Sequence, residues 1–75
     1  MNNTIRVERA VLRISQQQLA EKIGVSRQTI NAIETGKYVP SAVIALKIAS
    51  VFSKSVNDVF SLSEEDWVKE KPQNN

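Results

Sequence analysis

Through the first sixty positions apolar residues recur at helical spacing, and the aromatic and β-branched alternation of strands is missing. From Thr4 to about Arg13, Ile5, Ala10 and Leu12 sit among Arg6, Arg9 and Arg13. Ser15 opens a second segment with Gln18 three residues on, a Ser-x-x-Gln pattern that satisfies free N–H groups at a helix start. Leu19, Ala20 and Ile23 form its apolar stripe, and Gly24 supplies the positive-φ stop common after helices. Ser26 caps a third segment, Arg27 to Thr35, with Ile30 and Ile33 inward and Arg27, Gln28 and Asn31 outward. Gly36 closes it. Lys37 to Pro40 reads as a loop, because Pro40 biases Val39 to an extended conformation. Ser41 caps a fourth helix from about Ala42 to Phe52, and Ser55 a short fifth, Val56 to Phe60.

After Phe60 the pattern changes. Ser61-Leu62-Ser63 suits a short strand, Glu64-Glu65-Asp66 is an acidic run, and the lone Trp67 follows. Lys71-Pro72-Gln73-Asn74-Asn75 reads as a frayed end. No repeat or low-complexity tract interrupts the chain. The pattern therefore predicts an all-α domain of five helices over residues 1–60 and a tail over 61–75 that includes a possible strand.

The fourth helix carries more apolar surface than one core face needs. Ala42, Ala45, Leu46, Ala49 and Phe52 make one stripe, and Val43, Ile44, Ile48 and Val51 cover much of the remainder. A helix apolar nearly all round is buried on more than one side. In a small domain the extra side points to the tail or a partner subunit; half-exposed apolar residues are the ordinary alternative. Trp67 is suited to anchoring the tail or an interface.

Composition narrows the chemistry. The 75 residues contain no cysteine and no histidine. Disulfides, thiolate metal sites, the commonest general base and the commonest metal ligand are all missing, so no metal or cofactor is expected. Adjacent carboxylates such as Glu64-Glu65-Asp66 hold a cation weakly without further ligands. No apolar run approaches the ~18–20 residues that span a bilayer, and Met1-Asn2-Asn3-Thr4 leads into charged residues, so a cytoplasmic location is expected. The net charge of +2 is unevenly distributed. Residues 1–54 hold eight Lys/Arg and three Glu, a net +5, while residues 55–75 hold two Lys and five Asp/Glu, a net −3. A basic body suits a polyanion, and an acidic end should lie away from it; ordinary surface charge is the competing account.

The informative stretch is Gln16 to Ile33. Two short helices meet at Gly24 with almost no linker, and Ala20 allows the second to approach closely. Ile23, Val25, Ile30 and Ile33 can fill the angle between them. This is a helix-turn-helix whose second helix presents a polar, cationic N-terminal end.

The string Ile14-Ser15-Gln16-x-x-Leu19-Ala20-x-x-Ile23-Gly24-Val25-Ser26-Arg27-x-Thr29-Ile30-x-x-Ile33-Glu34-x-Gly36-Lys37-x-x-Pro40-Ser41 resembles the lambda-repressor/Cro-like helix-turn-helix regulators. It is similar in particular to short stand-alone bacterial and archaeal members. The resemblance runs from about Thr4 to Phe60. It implies a five-helix domain that binds double-stranded DNA, usually as a homodimer on an inverted-repeat operator. Some short members add a C-terminal extended segment that helps build the dimer.

On that reading Arg27 and Gln28 open the recognition helix, where arginine can pair with guanine O6/N7 and glutamine with adenine N6/N7. Asn31, one turn along, can also read adenine, and Ala32 can meet a thymine methyl. Solvated helix-surface polars are the plainer account of the first three, and helix filler of Ala32. Gln16 and Gln17 start the preceding helix, whose unpaired N–H groups favour phosphate. Ser26, Thr29, Lys37 and Tyr38 are further phosphate candidates, with capping the simpler role for Ser26; Arg6 and Arg13 are weaker ones. The resemblance also implies that Arg9 pairs with Glu34 as a structural lock. Ile44, Val51, Leu62 and Trp67 are the expected dimer contacts. A transcriptional repressor acting on a near-palindromic operator, with no enzyme activity and no small-molecule substrate, is the leading expectation. A protein-interaction module of the same fold, or an antitoxin or restriction-modification controller, is the alternative.

Overall fold

Serine caps set most of the helix starts. In the computed structural model, which describes residues 1–68, Ser15 Oγ accepts from the Gln18 amide at 3.0 Å while Gln18 Oε1 accepts from the Ser15 amide at 2.8 Å. This reciprocal cap opens α2 (Gln16–Ile23). Ser26 and Ser41 cap α3 (Arg27–Glu34) and α4 (Ala42–Val51) by accepting from Thr29 and Ile44 amides. Gly24 ends α2 at φ 79°, a left-handed conformation that a residue with a Cβ adopts only with strain. The chain begins with β1 (Asn2–Asn3) and α1 (Ile5–Leu12), and closes with α5 (Val56–Val59), β2 (Phe60–Ser61) and a 3₁₀ turn at Glu64–Trp67. The stretch Lys71 to Asn75, read above as a frayed end, lies outside the described residues. Among the described residues no helix is long and apolar enough to cross a membrane.

One core joins the helices. Ile5, Leu19, Ile30, Ile33, Ile48 and Val59 are its largest fully buried side chains. Each contributes on the order of 1.5–3 kcal/mol by leaving water. Ala20, Ile23, Ala49, Phe52 and Phe60 complete it, and Val25 is half-buried against it. Of the residues expected to fill the angle between α2 and α3, Ile23, Ile30 and Ile33 are buried in the core and Val25 is half-buried at its edge.

Three expectations need correction. In α1 only Ile5 is core; Ala10 and Leu12 are exposed. The inward face of that helix is Ile5, Glu8 and Arg9, at i, i+3 and i+4, so two of its three inward positions are charged. Glu8 is 9% exposed and pairs with Lys54 at 3.1 Å. In α4 the inward face is Ile48, Ala49 and Phe52, with Ile44, Ala45 and Val51 half-buried against the same core. Ala42 and Leu46, expected in the same stripe as Ala49 and Phe52, are exposed together with Val43. Ile44 and Val51 thus pack on their own chain, and the helix's exposed apolar residues are Ala42, Val43 and Leu46.

The third correction concerns the strand. It forms one residue earlier than the Ser61–Ser63 expectation and pairs antiparallel with β1, Asn2 opposite Ser61 and Asn3 opposite Phe60. The ribbon is secured by Thr4 N–H donating to the Val59 carbonyl at 2.9 Å. Asn3 adds two further ties: its Nδ2 donates to the Ile33 carbonyl at 3.0 Å, and its Oδ1 accepts from the Ile5 amide at 3.1 Å. One side chain thereby caps α1 and attaches the ribbon to the end of α3. Trp67 and Leu62, both expected dimer contacts, are 73% and 53% exposed in the single chain.

The 3₁₀ turn is held by Asp66. Its Oδ2 accepts from the Ser63 amide at 2.8 Å and lies 2.9 Å from the Met1 ammonium. The Ser63 amide first, and then the Met1 ammonium, hold its carboxyl below the usual aspartate value. A carboxyl depressed in the folded state contributes stability above its unfolded pKa and loses it as pH falls through the folded one. The adjacent Trp67 reports on this turn. Its fluorescence should show an acid transition below the ordinary carboxylate range, and Asp66→Asn should abolish that transition. The same transition in Asp66→Asn would refute the assignment.

Candidate nucleic-acid interface

The exposed side of α3 begins at its cap. Ser26 Oγ accepts from the Thr29 amide at 3.1 Å and sits 2.9 Å from Thr29 Oγ1. One hydroxyl donates to the other, so the pair retains one uncommitted proton. Arg27 and Gln28 follow, both exposed, and neither side chain makes a hydrogen bond or ion pair among the described residues. Asn31 is exposed one turn later and Ala32 is half-buried. Arg27, Gln28 and Asn31 therefore share one accessible surface, with Ala32 at its edge.

The inner side of the same helix is anchored at its last residue. The Glu34 side chain is only 4% exposed. Arg9 Nε donates to its Oε2 at 2.5 Å and Arg9 Nη2 to its Oε1 at 3.2 Å, the two-pronged geometry that arginine makes with carboxylates. The third arm of the guanidinium, Nη1, donates to the Ile14 carbonyl at 3.1 Å. Arg9 thus joins α1, the turn before α2 and the end of α3. Gln16 adds α2: its Nε2 donates to Glu34 Oε1 at 3.1 Å and to Asn31 Oδ1 at 3.2 Å.

That geometry redefines Gln16. One amide proton is bonded to the buried Glu34 carboxylate and the other, at an exposed contact, to Asn31. Its backbone N–H, with that of Gln17, stands in the open first turn of α2. Gln17 uses one side-chain proton on Glu21, at 3.0 Å, and keeps another. Lys37 and Tyr38 lie in the loop after α3, where both backbone amides donate to the Ala32 carbonyl at 2.9 and 3.1 Å. Their side chains are exposed. Arg13 is the left-handed residue that ends α1, and Arg6 lies on that helix's exposed side.

The structure thus brings Arg27, Gln28, Asn31, Ser26 and Thr29 together on α3, and joins Gln16 to Asn31. Sequence patterning missed the Gln16 bonds, the Asn3 ties and the Glu8–Lys54 pair. Gln16 and Asn31 are separated by 15 positions and meet only because of the α2–α3 angle. No spacing rule signals such a contact.

A helix-turn-helix family model matches residues 5–59. The chain belongs to the helix-turn-helix family, in its lambda-repressor/Cro-like branch. It is 50% identical over 66 residues to the uncharacterized HTH-type transcriptional regulator YgzD of Bacillus subtilis, covering 88% of this chain and 100% of that protein. It is 46% identical over 66 residues to the uncharacterized HTH-type transcriptional regulator MJ0272 of Methanocaldococcus jannaschii, with the same coverage. An Archaeoglobus fulgidus protein of the same description is 43% identical over 70 residues, covering 92% of this chain and 99% of its own. These names are those of transcriptional regulators, not of enzymes.

The Arg9–Glu34 contact makes a quantitative demand. Groups in one hydrogen-bonded network couple, so a double-mutant cycle on thermal stability with Arg9→Met and Glu34→Gln should give an interaction energy of about 1 kcal/mol or more. Each single change should cost more than its additive share, because it strands a buried charge or its donors. An additive cycle would mean that the contact carries no stability.

Proposed function

We propose that the chain is a DNA-binding transcriptional regulator that acts as a repressor by occluding promoter DNA, with α3 lying in the major groove. The observation that carries this reading is the uncommitted polar surface at the start of α3, attached to a helix end locked by the buried Glu34. A reading helix needs free donors and acceptors on a rigid support, since each rotamer frozen on binding lowers affinity. Arg27 and Gln28 are the base readers at the helix start, with Asn31 one turn on and Ala32 available to a thymine methyl. The backbone amides of Gln16 and Gln17, the Ser26–Thr29 hydroxyl pair, Lys37 and Tyr38 hold the sugar-phosphate strands. A protein-interaction module that no longer binds DNA has no need to keep a basic face, and the regulator reading accounts for the exposed Arg27 and Lys37.

Duplexes selected from a random pool test this directly. Arg27→Ala should cost about 1–3 kcal/mol on the selected site and relax preference at one base pair. Lys37→Ala should weaken specific and non-specific DNA alike and flatten the salt slope by about one unit. An unchanged selected sequence and affinity in Arg27→Ala would exclude base readout by α3.

One recognition helix covers few base pairs, and a homodimer on a near-palindromic operator supplies the missing specificity, its two helices about 34 Å apart. The free apolar material at the C-terminal end supports a dimer built there. Leu62 and Trp67 are exposed, and Met1, Val56, Phe60 and Leu62 line a shallow groove beside the ribbon. Ile44 and Val51 have less surface to offer, being half-buried in their own chain. Sedimentation at micromolar concentration should show a dimer for the full chain and a monomer for a chain ending at Ser61. A monomeric full chain would overturn the dimer, and an unchanged dimer after truncation would remove the tail from it.

A further inference from the structure

We propose that the acidic, apolar turn after β2 of one copy docks on the outer face of α1 of another, so that copies associate head to tail. The contact itself needs neither DNA nor the dimer. Its use on DNA, joining proteins at neighbouring operators, rests on the DNA-binding reading above.

A surface helix ordinarily turns its polar face to water. In α1 two charges are turned inward instead, Glu8 to pair with Lys54 and Arg9 with Glu34. The charges left outside are Arg6 on the helix and Arg13 at its end, with no carboxylate among them. Val7 and Val11, one turn apart, are 60% and 70% exposed, and Ala10 beside them is exposed too. The outer face of α1 is therefore an apolar strip flanked by two cations. Arg9 and Glu34 join the inner faces of α1 and α3, which turns the outer face of α1 away from that of α3 and leaves it free while α3 reads DNA.

The turn at Glu64–Trp67 has the complementary composition. Asp66 is committed to Ser63 and the Met1 ammonium. The Glu64 and Glu65 side chains make no hydrogen bond or ion pair among the described residues, and Trp67 and Val68 beside them lie in water. With Lys69, Glu70 and Lys71 counted, residues 62–71 hold four Asp/Glu and two Lys, a net −2. Two anions and two large apolar side chains thus match two cations and an apolar strip. Within one chain the two surfaces do not meet, since Val7, Val11 and Trp67 are all exposed; a second copy is the partner of matching chemistry. The groove proposed for the dimer is lined by Met1, Val56, Phe60 and Leu62, and neither Trp67 nor Val68 lines it. The loop at Lys37, with Tyr38 and Val39 exposed, offers one cation rather than two. Because the two surfaces differ, the contact is heterologous and leaves a free turn at one end and a free α1 at the other. Its charges are exposed, so it is weak and screened by salt. Two proteins on neighbouring operators meet at high effective concentration, which offsets that weakness.

Sedimentation and Trp67 emission, followed from micromolar to millimolar protein, read the contact, since Trp67 is the only tryptophan. The full-length protein should form species larger than its micromolar one, with Trp67 emission moving to the blue, and molar salt should reverse both. Val7→Ser with Val11→Ser should abolish both changes and leave the micromolar species as it was. Arg6→Glu with Arg13→Glu should also abolish them, as should Glu64→Lys with Glu65→Lys. An equal mixture of these two charge-reversed proteins should associate again, because each then supplies the surface of opposite charge that the other lacks. Mass and emission that do not change with concentration in the full-length protein overturn the inference, as does a mixture that stays apart. A changed micromolar species in Trp67→Ser assigns Trp67 to the dimer and overturns it too. On a duplex with two adjacent selected operators, Val7→Ser with Val11→Ser should keep the affinity for a single site and lose a several-fold cooperativity between the two. Unchanged cooperativity there overturns the role on DNA. If the full-length protein selects no sequence, the DNA-binding reading fails, and association in solution still decides the contact.

Discussion

A buried carboxylate with three donors holds this domain's working surface in place. Glu34 ends α3, and its two oxygens receive Arg9 from α1 and Gln16 from α2. Desolvating a carboxylate costs several kcal/mol, and only a full set of hydrogen bonds offsets it. Here the set is complete: among the described residues no buried side-chain nitrogen or oxygen lacks a partner. Because the donors come from different helices, the network is satisfied only in one relative arrangement of α1, α2 and α3. The apolar core supplies most of the stability; the carboxylate supplies directionality that methyl groups lack.

The opposite requirement governs the outer face of α3. Among the described residues Arg27 and Gln28 have no internal partners, and the same helix is thus bonded on one side and open on the other. Eight residues suffice for both because of periodicity: Ile30, Ile33 and Glu34 fall inward, while Arg27, Gln28 and Asn31 fall outward. Asn31 stands at the boundary. Its oxygen is drawn into the inner network and its nitrogen is left outside, so the internal bonding reaches the surface through a single amide.

A small core also needs its ends secured. The two-residue ribbon of β1 and β2 brings the start of the chain to the residues after α5, and Asn3 fastens it to Ile33. Two paired residues on each side are marginal alone; here Phe60 of β2 is itself in the core, and Thr4 N–H bonds the Val59 carbonyl beside the pairing. The acidic turn beyond is bonded through polar groups, which leaves Leu62, Trp67 and Val68 in water. Exposed apolar side chains distinguish this region from α3, whose exposed residues are polar or charged.

Helix number, capping and the helix-turn-helix were legible along the chain because each depends on residues three or four positions apart. Ser15 with Gln18, Ser26 with Thr29, and Leu19, Ala20 and Ile23 on one face are local facts, fixed by the geometry of a single turn. The exposed polar residues at the start of α3 were legible as residue types for the same reason. What tertiary structure alone decided is who meets whom at long separation. The inward turn of Glu8, the outward turn of Leu46, the Asn2–Ser61 pairing and the Gln16–Asn31 bond all depend on angles between elements. Those angles arise from packing of the whole core, which no short window contains. The Arg9–Glu34 contact was anticipated only through family resemblance. That Asn31, outward by its spacing, also bonds Gln16 could not be read from residue type, since it depends on where another helix sits.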